Sequence, residues 1–99
     1  MKSIPIIKLY GAQRCHKTNY YKALLNETRL PYQFLDVEVS TDSAEELRNL
    51  YENNKLNFPT ITIGKKKLRN PYKEDLIKWL NKLIPGRVDI VQDNKFKIN

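Results

Sequence analysis

With 99 residues, a formal charge of +7 and a pI near 9.6, the chain is long enough for one modest core and too short for two domains. Hydrophobic residues make up 40% of it, and a single cysteine excludes an intramolecular disulfide framework. No signal-peptide core and no stretch of membrane-spanning length follows the start Met1-Lys2-Ser3-Ile4-Pro5, so a cytoplasmic protein without membrane contact is expected.

Ile4 to Tyr10 is a β-rich apolar run ended by Gly11 and predicts a buried strand. Residues 15–29 have helical spacing: Tyr20 and Leu24 lie four apart, as do Tyr21 and Leu25, with Ala23 between them. Leu30-Pro31 ends that helix, because the residue before a proline is pushed out of the helical region. Tyr32 to Val39 alternates as a second strand, anchored by Phe34, Val37 and Val39.

Ser43 and Glu46 have the spacing of a capping box and predict a helix starting at Ser43. Ala44, Leu47 and Tyr51 form its inner stripe with Leu50 beside them, and Asn53-Asn54 stops it. Asn57 to Gly64 predicts a β-branched strand entered through Pro59, with Gly64-Lys65 as a tight turn and Lys66 to Leu68 as the returning strand. Asn70-Pro71 fits the N-cap and first residue of a last helix. Leu76, Leu80 and Leu83 face one way on it, flanked by Ile77 and Ile84, and Pro85-Gly86 ends it. Residues 86–99 have two readings: a hairpin about Asp93-Asn94 that sets Val91 opposite Phe96, or a frayed basic tail.

The first two strands, joined by a helix, are expected to be parallel with a right-handed crossover, and the last two to form an antiparallel hairpin. A four-stranded mixed sheet with helices on both faces follows, an α/β sandwich. The basic balance raises nucleic acid and anionic membranes as partners. Only Lys65-Lys66-Lys67 forms a run, however, so most of the charge reads as solvated surface and nucleic acid is not an expected partner.

Chemistry concentrates in Arg14-Cys15-His16-Lys17-Thr18, where the first strand hands over to a helix. Unpaired N–H groups and the dipole of a helix start favour the thiolate, and the flanking cations act in the same sense. Lone cysteines are commonly inert buried hydrophobes. The polar surroundings of Cys15 and the preceding loop argue instead for a surface thiol. Thr18 lies on the same side of the first turn, either donating a hydrogen bond to the thiolate or bonding back to the chain. His16 is the only histidine, and its position next to Cys15 argues against an in-line Cys–His dyad. One cysteine and one histidine cannot build a four-ligand zinc site, so no metal is expected. Pro59 reads either as an ordinary trans proline at a strand start or as a cis bond that exposes the Phe58 backbone to an extended, peptide-like substrate.

Cys-x-x-Thr at a helix start, followed by Phe58-Pro59-Thr60, resembles the glutaredoxins within the thioredoxin fold over roughly residues 4–84. Pro59 to Leu80, with Arg69-Asn70-Pro71 after the hairpin, is similar to small bacterial glutaredoxin-like and mycoredoxin-like proteins. The resemblance implies a thioredoxin-like three-layer sandwich over residues 1–85, with 86–99 as a C-terminal extension. It implies that Cys15 is the nucleophile, that Pro59 is a cis-proline beside it, and that the Phe58 backbone pairs with the cysteinyl part of glutathione. The Arg69-Asn70-Pro71 turn and the helix start after it would hold the γ-glutamyl carboxylate, a role that helix N-termini suit.

The family's commoner site is Cys-x-x-Cys, and Thr18 in place of the second cysteine leaves a monothiol route. A lysine often found three residues before the nucleophile is Ala12 here, which leaves Arg14 or Lys17 to supply that charge. The expected function is therefore glutathione-dependent thiol–disulfide exchange through a mixed disulfide on Cys15. Glutathione, or another low-molecular-weight thiol, would be co-substrate, with no tightly bound cofactor. Glutathionylated or disulfide-containing proteins would be partners. Two alternatives stand beside it. One is a glutathione-assisted iron–sulfur carrier using Cys15 as a ligand, although Cys-His-Lys-Thr replaces the Cys-Gly-Phe-Ser run of such carriers. The other is a redox-inert interaction domain.

Overall fold

The computed structural model describes residues 5–84, which run β1 (Ile7–Gly11), α1 (His16–Thr28), β2 (Gln33–Asp36), α2 (Thr41–Arg48), β3 (Thr60–Ile63), β4 (Lys66–Arg69) and α3 (Lys73–Leu83). Ile4, the Pro85-Gly86 helix stop and the two readings of residues 86–99 lie outside the described residues. Strand order is β2-β1-β3-β4, with β1 parallel to β2 and antiparallel to β3, and β4 antiparallel to β3. This is the expected mixed sheet of a thioredoxin-like sandwich.

Alternation along β1 sorts the two faces. Ile7 and Leu9 join Tyr21, Leu24 and Leu25 of α1 and Leu76 and Leu80 of α3 in one cluster, with Ile61 and Ile63 of β3. Tyr10 points the other way, into a smaller cluster with Val37 and with Ala44 and Leu47 of α2. Each large apolar side chain buried this way contributes about 1.5–3 kcal/mol of transfer free energy. The two clusters lock α1 and α3 to one face and α2 to the other.

Several elements depart from the sequence expectation for local reasons. On α1 the inward stripe is Tyr21, Leu24 and Leu25, whereas Tyr20 is 49% exposed and Ala23 is also outward. That helix stops at Thr28, whose hydroxyl donates to the Leu25 carbonyl (2.6 Å), while Arg29 adopts a left-handed cap at φ 62°. Strand β2 is only four residues long because the Asp36 carboxylate accepts from the N–H groups of Glu38 (2.9 Å) and Val39 (3.2 Å) and turns the chain. Val39 is consequently no anchor and stands 81% exposed.

The cap of α2 is Ser40 rather than Ser43: the Ser40 hydroxyl accepts from the Ser43 N–H at 3.1 Å, and the helix begins at Thr41. Glu46, expected in the capping box, reaches across to β1 instead. The helix also ends at Arg48, before the expected Asn53-Asn54. Asn70 does not cap α3. It takes a left-handed φ of 49°, its N–H donates to the Pro59 carbonyl (3.0 Å), and α3 begins at Lys73 behind Tyr72.

Candidate active site

Sheet and helix both deliver their ends to Cys15. β1 stops at Gly11, and a turn closed by Cys15 N–H donating to the Ala12 carbonyl (3.0 Å) leads into α1. Cys15 is the N-cap of that helix, extended at φ −87° and ψ 122°, with its carbonyl accepting from Asn19 N–H at 3.1 Å. The thiol is partly exposed. Burial pushes it up, but the Thr18 hydroxyl, the backbone N–H groups of Thr18 and Lys17 and the Lys17 charge outweigh that and hold it below the ordinary thiol value.

Of the two roles open to Thr18 in the sequence, the bond back to the chain is formed. Thr18 is fully buried, its hydroxyl oxygen accepts from the Ala12 N–H (3.2 Å), and the same hydroxyl lowers the pKa of Cys15. Gly11 makes this packing possible. A Cβ there would fall 2.4 Å from Thr18 Oγ1 and 2.6 Å from its Cγ2. The role of Gly11 was hidden in the sequence, where it reads only as a strand terminator.

The two expected cationic helpers differ. Arg14 is turned to Glu38 in a two-pronged ion pair, Nε–Oε1 2.9 Å and the second nitrogen to Oε2 2.5 Å, which raises its already high pKa. Lys17 is exposed, makes no ion pair with another described residue, and acts on the sulfur. His16 is exposed on the neighbouring position. Among the described residues no group of three His, Cys, Asp or Glu could hold a metal ion.

Pro59 enters the site from β3. Its bond to Phe58 is cis, and continuing the Tyr10↔Thr60 pairing by one residue sets Pro59 opposite Gly11, beside the loop that carries Cys15. Pro59 is buried and Phe58 is partly buried against the α2-side cluster. The loop before it is fixed by Thr60, whose hydroxyl donates to the Asn57 carbonyl (2.5 Å) and bonds Tyr51 Oη (2.8 Å). Sequence reasoning assigned Tyr51 to an apolar stripe and did not foresee this polar support.

Arg69 and Asn70 reach the same end of the sheet. Arg69 pairs with Thr60 across β3 and β4 and is exposed, and Asn70 follows it in the turn tied to Pro59. Buried Tyr21, six residues beyond Cys15 on α1, directs its hydroxyl to the Pro71 carbonyl and lies 3.3 Å from Asn70 Oδ1. Helix α1 thus ties the thiol to the β4–α3 turn. Tyr21 carried only a packing signal in the sequence, because its partner is almost fifty residues away.

No protein-family model and no curated protein sequence matches the chain. Solved structures do. The glutaredoxin grx-1 from Archaeoglobus fulgidus is 15% identical, over 83% of this chain and 88% of that one, with a TM-score of 0.65. The thioredoxin-like protein BC3987 is 20% identical over 75% and 97% of the two chains, TM-score 0.61. Glutaredoxin C1 from Populus tremula x tremuloides, solved in its holo form, is 18% identical over 82% and 81%, TM-score 0.57. At these identities the likeness establishes the thioredoxin-like fold. No described helix is long and apolar enough to cross a membrane.

Proposed function

We propose that this thioredoxin-fold chain is a glutathione-dependent thiol–disulfide oxidoreductase working by a monothiol mechanism at Cys15. The observation that carries the reading is the setting of the sulfur. A partly exposed thiol is held below its ordinary pKa by the Thr18 hydroxyl, two backbone N–H groups and Lys17, on the loop beside cis-Pro59. Thiolate is the attacking species in disulfide exchange, and a thiol titrating near ambient pH combines availability with nucleophilicity.

In the first step the Cys15 thiolate attacks the glutathione sulfur of a glutathionylated protein. The bond between the two original sulfurs breaks, a Cys15–glutathione disulfide forms, and the protein thiolate leaves and takes a proton from solvent. A second glutathione, as its thiolate, then attacks the glutathione sulfur on Cys15. Cys15 departs as thiolate and glutathione disulfide is released, so the protein mixed disulfide is reduced by two electrons supplied by glutathione. A single cysteine suits this cycle, because no internal thiol competes for the mixed disulfide.

In this reading the Phe58 backbone pairs with the cysteinyl unit of glutathione, and Arg69, Asn70 and the start of α3 receive the γ-glutamyl carboxylate. Lys17 is the cation available to the other carboxylate, since Glu38 already engages Arg14. The test is reduction of the mixed disulfide of glutathione and 2-mercaptoethanol, coupled to glutathione reductase and NADPH. Activity lost in Cys15→Ser supports the proposal. Wild type and Cys15→Ser turning over equally would remove it.

A further inference from the structure

The lysines that look scattered along the chain are gathered by the fold. Lys66 on β4 lies 4.0 Å from the ring centroid of Trp79 on α3, Lys82 lies 4.9 Å from it and Lys78 5.6 Å. Three ammonium groups therefore sit within 5.6 Å of one point, inside a Debye length of about 8 Å at physiological ionic strength. None of the ion pairs among the described residues involves them. The cluster is also the focus of the chain's charge. Between Gly64 and Ile84 lie seven of the eighteen basic residues and two of the eleven acidic ones. Glu74 and Asp75, those two, belong to the first turn of α3, where they meet the positive end of the helix.

Trp79 is the only tryptophan and is partly buried, packed against the core beside Leu76 and Leu80. Its indole is thus held in place beneath ammonium groups, with Lys66 over the ring. Lys66 adjoins the β3–β4 turn, at the end of the sheet opposite Pro59, so the thiol chemistry uses none of these groups.

The geometry points to a binding site for single-stranded nucleic acid, in which phosphates draw Lys66, Lys78 and Lys82 off the Trp79 ring and one base stacks on the face they vacate. All three cations are lysines, compact point charges suited to phosphate, and none is an arginine with the planar fork that grips carboxylates. A single strand follows such a cluster through its phosphates, each neutralised one contributing about 0.7 to the salt slope. Basic grooves with aromatic plates are the general means of holding such strands. Two other polyanions fit less well. An acidic peptide fits less well because its carboxylates suit arginine forks, and the cluster has no arginine. An anionic membrane is disfavoured because none of the exposed large apolar residues (Ile6, Tyr20, Val39, Tyr72) belongs to the cluster.

The test is titration of the full chain with a fluorescein-labelled twelve-nucleotide oligothymidylate, read by anisotropy and by Trp79 emission, from 50 mM salt upward. Wild type should bind with a change in Trp79 emission. K66Q/K78Q/K82Q should bind tenfold or more weakly at low salt, with the slope of log K against log salt reduced by about 2. K22Q/K55Q/K73Q, with the same net charge, should lose less than threefold. Equal loss in the two triple variants would overturn the site. So would unchanged binding by K66Q/K78Q/K82Q, or equally tight binding of polyglutamate or phosphatidylserine vesicles. A urea midpoint matching wild type shows that the site variant is folded.

Discussion

Gly11→Ala separates the account given for Thr18 from a generic view of glycine. Gly11 is not among the residues with positive φ, so alanine can adopt its backbone conformation. By chain entropy alone the substitution would stabilise by about 0.4–1 kcal/mol. The new Cβ, however, would lie 2.4 Å from Thr18 Oγ1, 2.6 Å from Cγ2 and 3.0 Å from Cβ, and Thr18 is fully buried with nowhere to retreat. Overpacking of this kind costs about 1–3 kcal/mol, so the net sign is destabilising.

Thr18→Ala has a different cost: it leaves the buried Ala12 N–H without its acceptor, worth about 1–3 kcal/mol. In that background two of the three clashing atoms are gone, and Gly11→Ala should cost under about 1 kcal/mol. The double variant is therefore more stable than the sum of the singles implies. Urea unfolding of the four proteins reads this directly, since m of about 1–3 kcal/mol/M turns a 2 kcal/mol loss into a midpoint shift of roughly 1 M. Gly11→Ala should also raise the thiol pKa by displacing the Thr18 hydroxyl. A neutral or stabilising Gly11→Ala, or costs that add within about 0.5 kcal/mol, would refute the close approach.

Three further outcomes are expected. Ser40→Ala should cost about 1 kcal/mol by removing the α2 cap, and Ser43→Ala under half of that, measured by urea midpoints; the reverse order would restore Ser43 as the cap. Glu46 is held below the usual carboxyl range by hydrogen bonds from Lys8 (2.7 Å) and Tyr10 (2.6 Å). Its contribution is present above the unfolded carboxyl pKa of about 4.3 and is lost as pH falls through the lower folded value. Acid should accordingly erode wild type more steeply than Glu46→Gln, by under about 1 kcal/mol because the pair is partly exposed. Tyr21→Phe removes the bond to the Pro71 carbonyl, and should cost about 1 kcal/mol and raise the KM for glutathione with kcat nearly kept. An unchanged KM would detach the β4–α3 turn from the substrate.

The architecture was legible because its signals are local. Apolar runs bounded by Gly11, Pro31 and Gly64 mark the strands, and leucines at helical spacing mark α1 and α3. The errors arise where a side chain chooses a partner that periodicity cannot show. Asp36 folds the chain back on its own N–H groups and shortens β2, which hands the α2 cap to Ser40. Glu46 fits a capping pattern but finds Lys8 and Tyr10 at closer range across the sheet. Asn70-Pro71 fits a helix start, yet the bond from Asn70 N–H to Pro59 ties that residue to the sheet and delays α3.

The site divides the same way. Cys15 and Thr18 share one turn of helix, so their proximity follows from spacing. Lys17 belongs to that turn as well. The engagement of Arg14 by Glu38, the Gly11 contact and the links from Tyr21 and Tyr51 join residues brought together only by the sheet order. The Trp79 cluster is the clearest case. Lys78 and Lys82 share one face of α3 by their spacing, but nothing in the sequence unites Lys66 of the hairpin with them.

The rate of Cys15 alkylation against pH tests the central claim most directly, with Thr18→Val measured beside wild type. The rate should rise and level off about a pKa below the ordinary thiol value of about 8.5, and Thr18→Val should move that pKa upward because it removes the hydroxyl that lowers it. A wild-type thiol titrating at or above the ordinary value, unmoved by Thr18→Val, would contradict the account of Cys15 as an activated nucleophile.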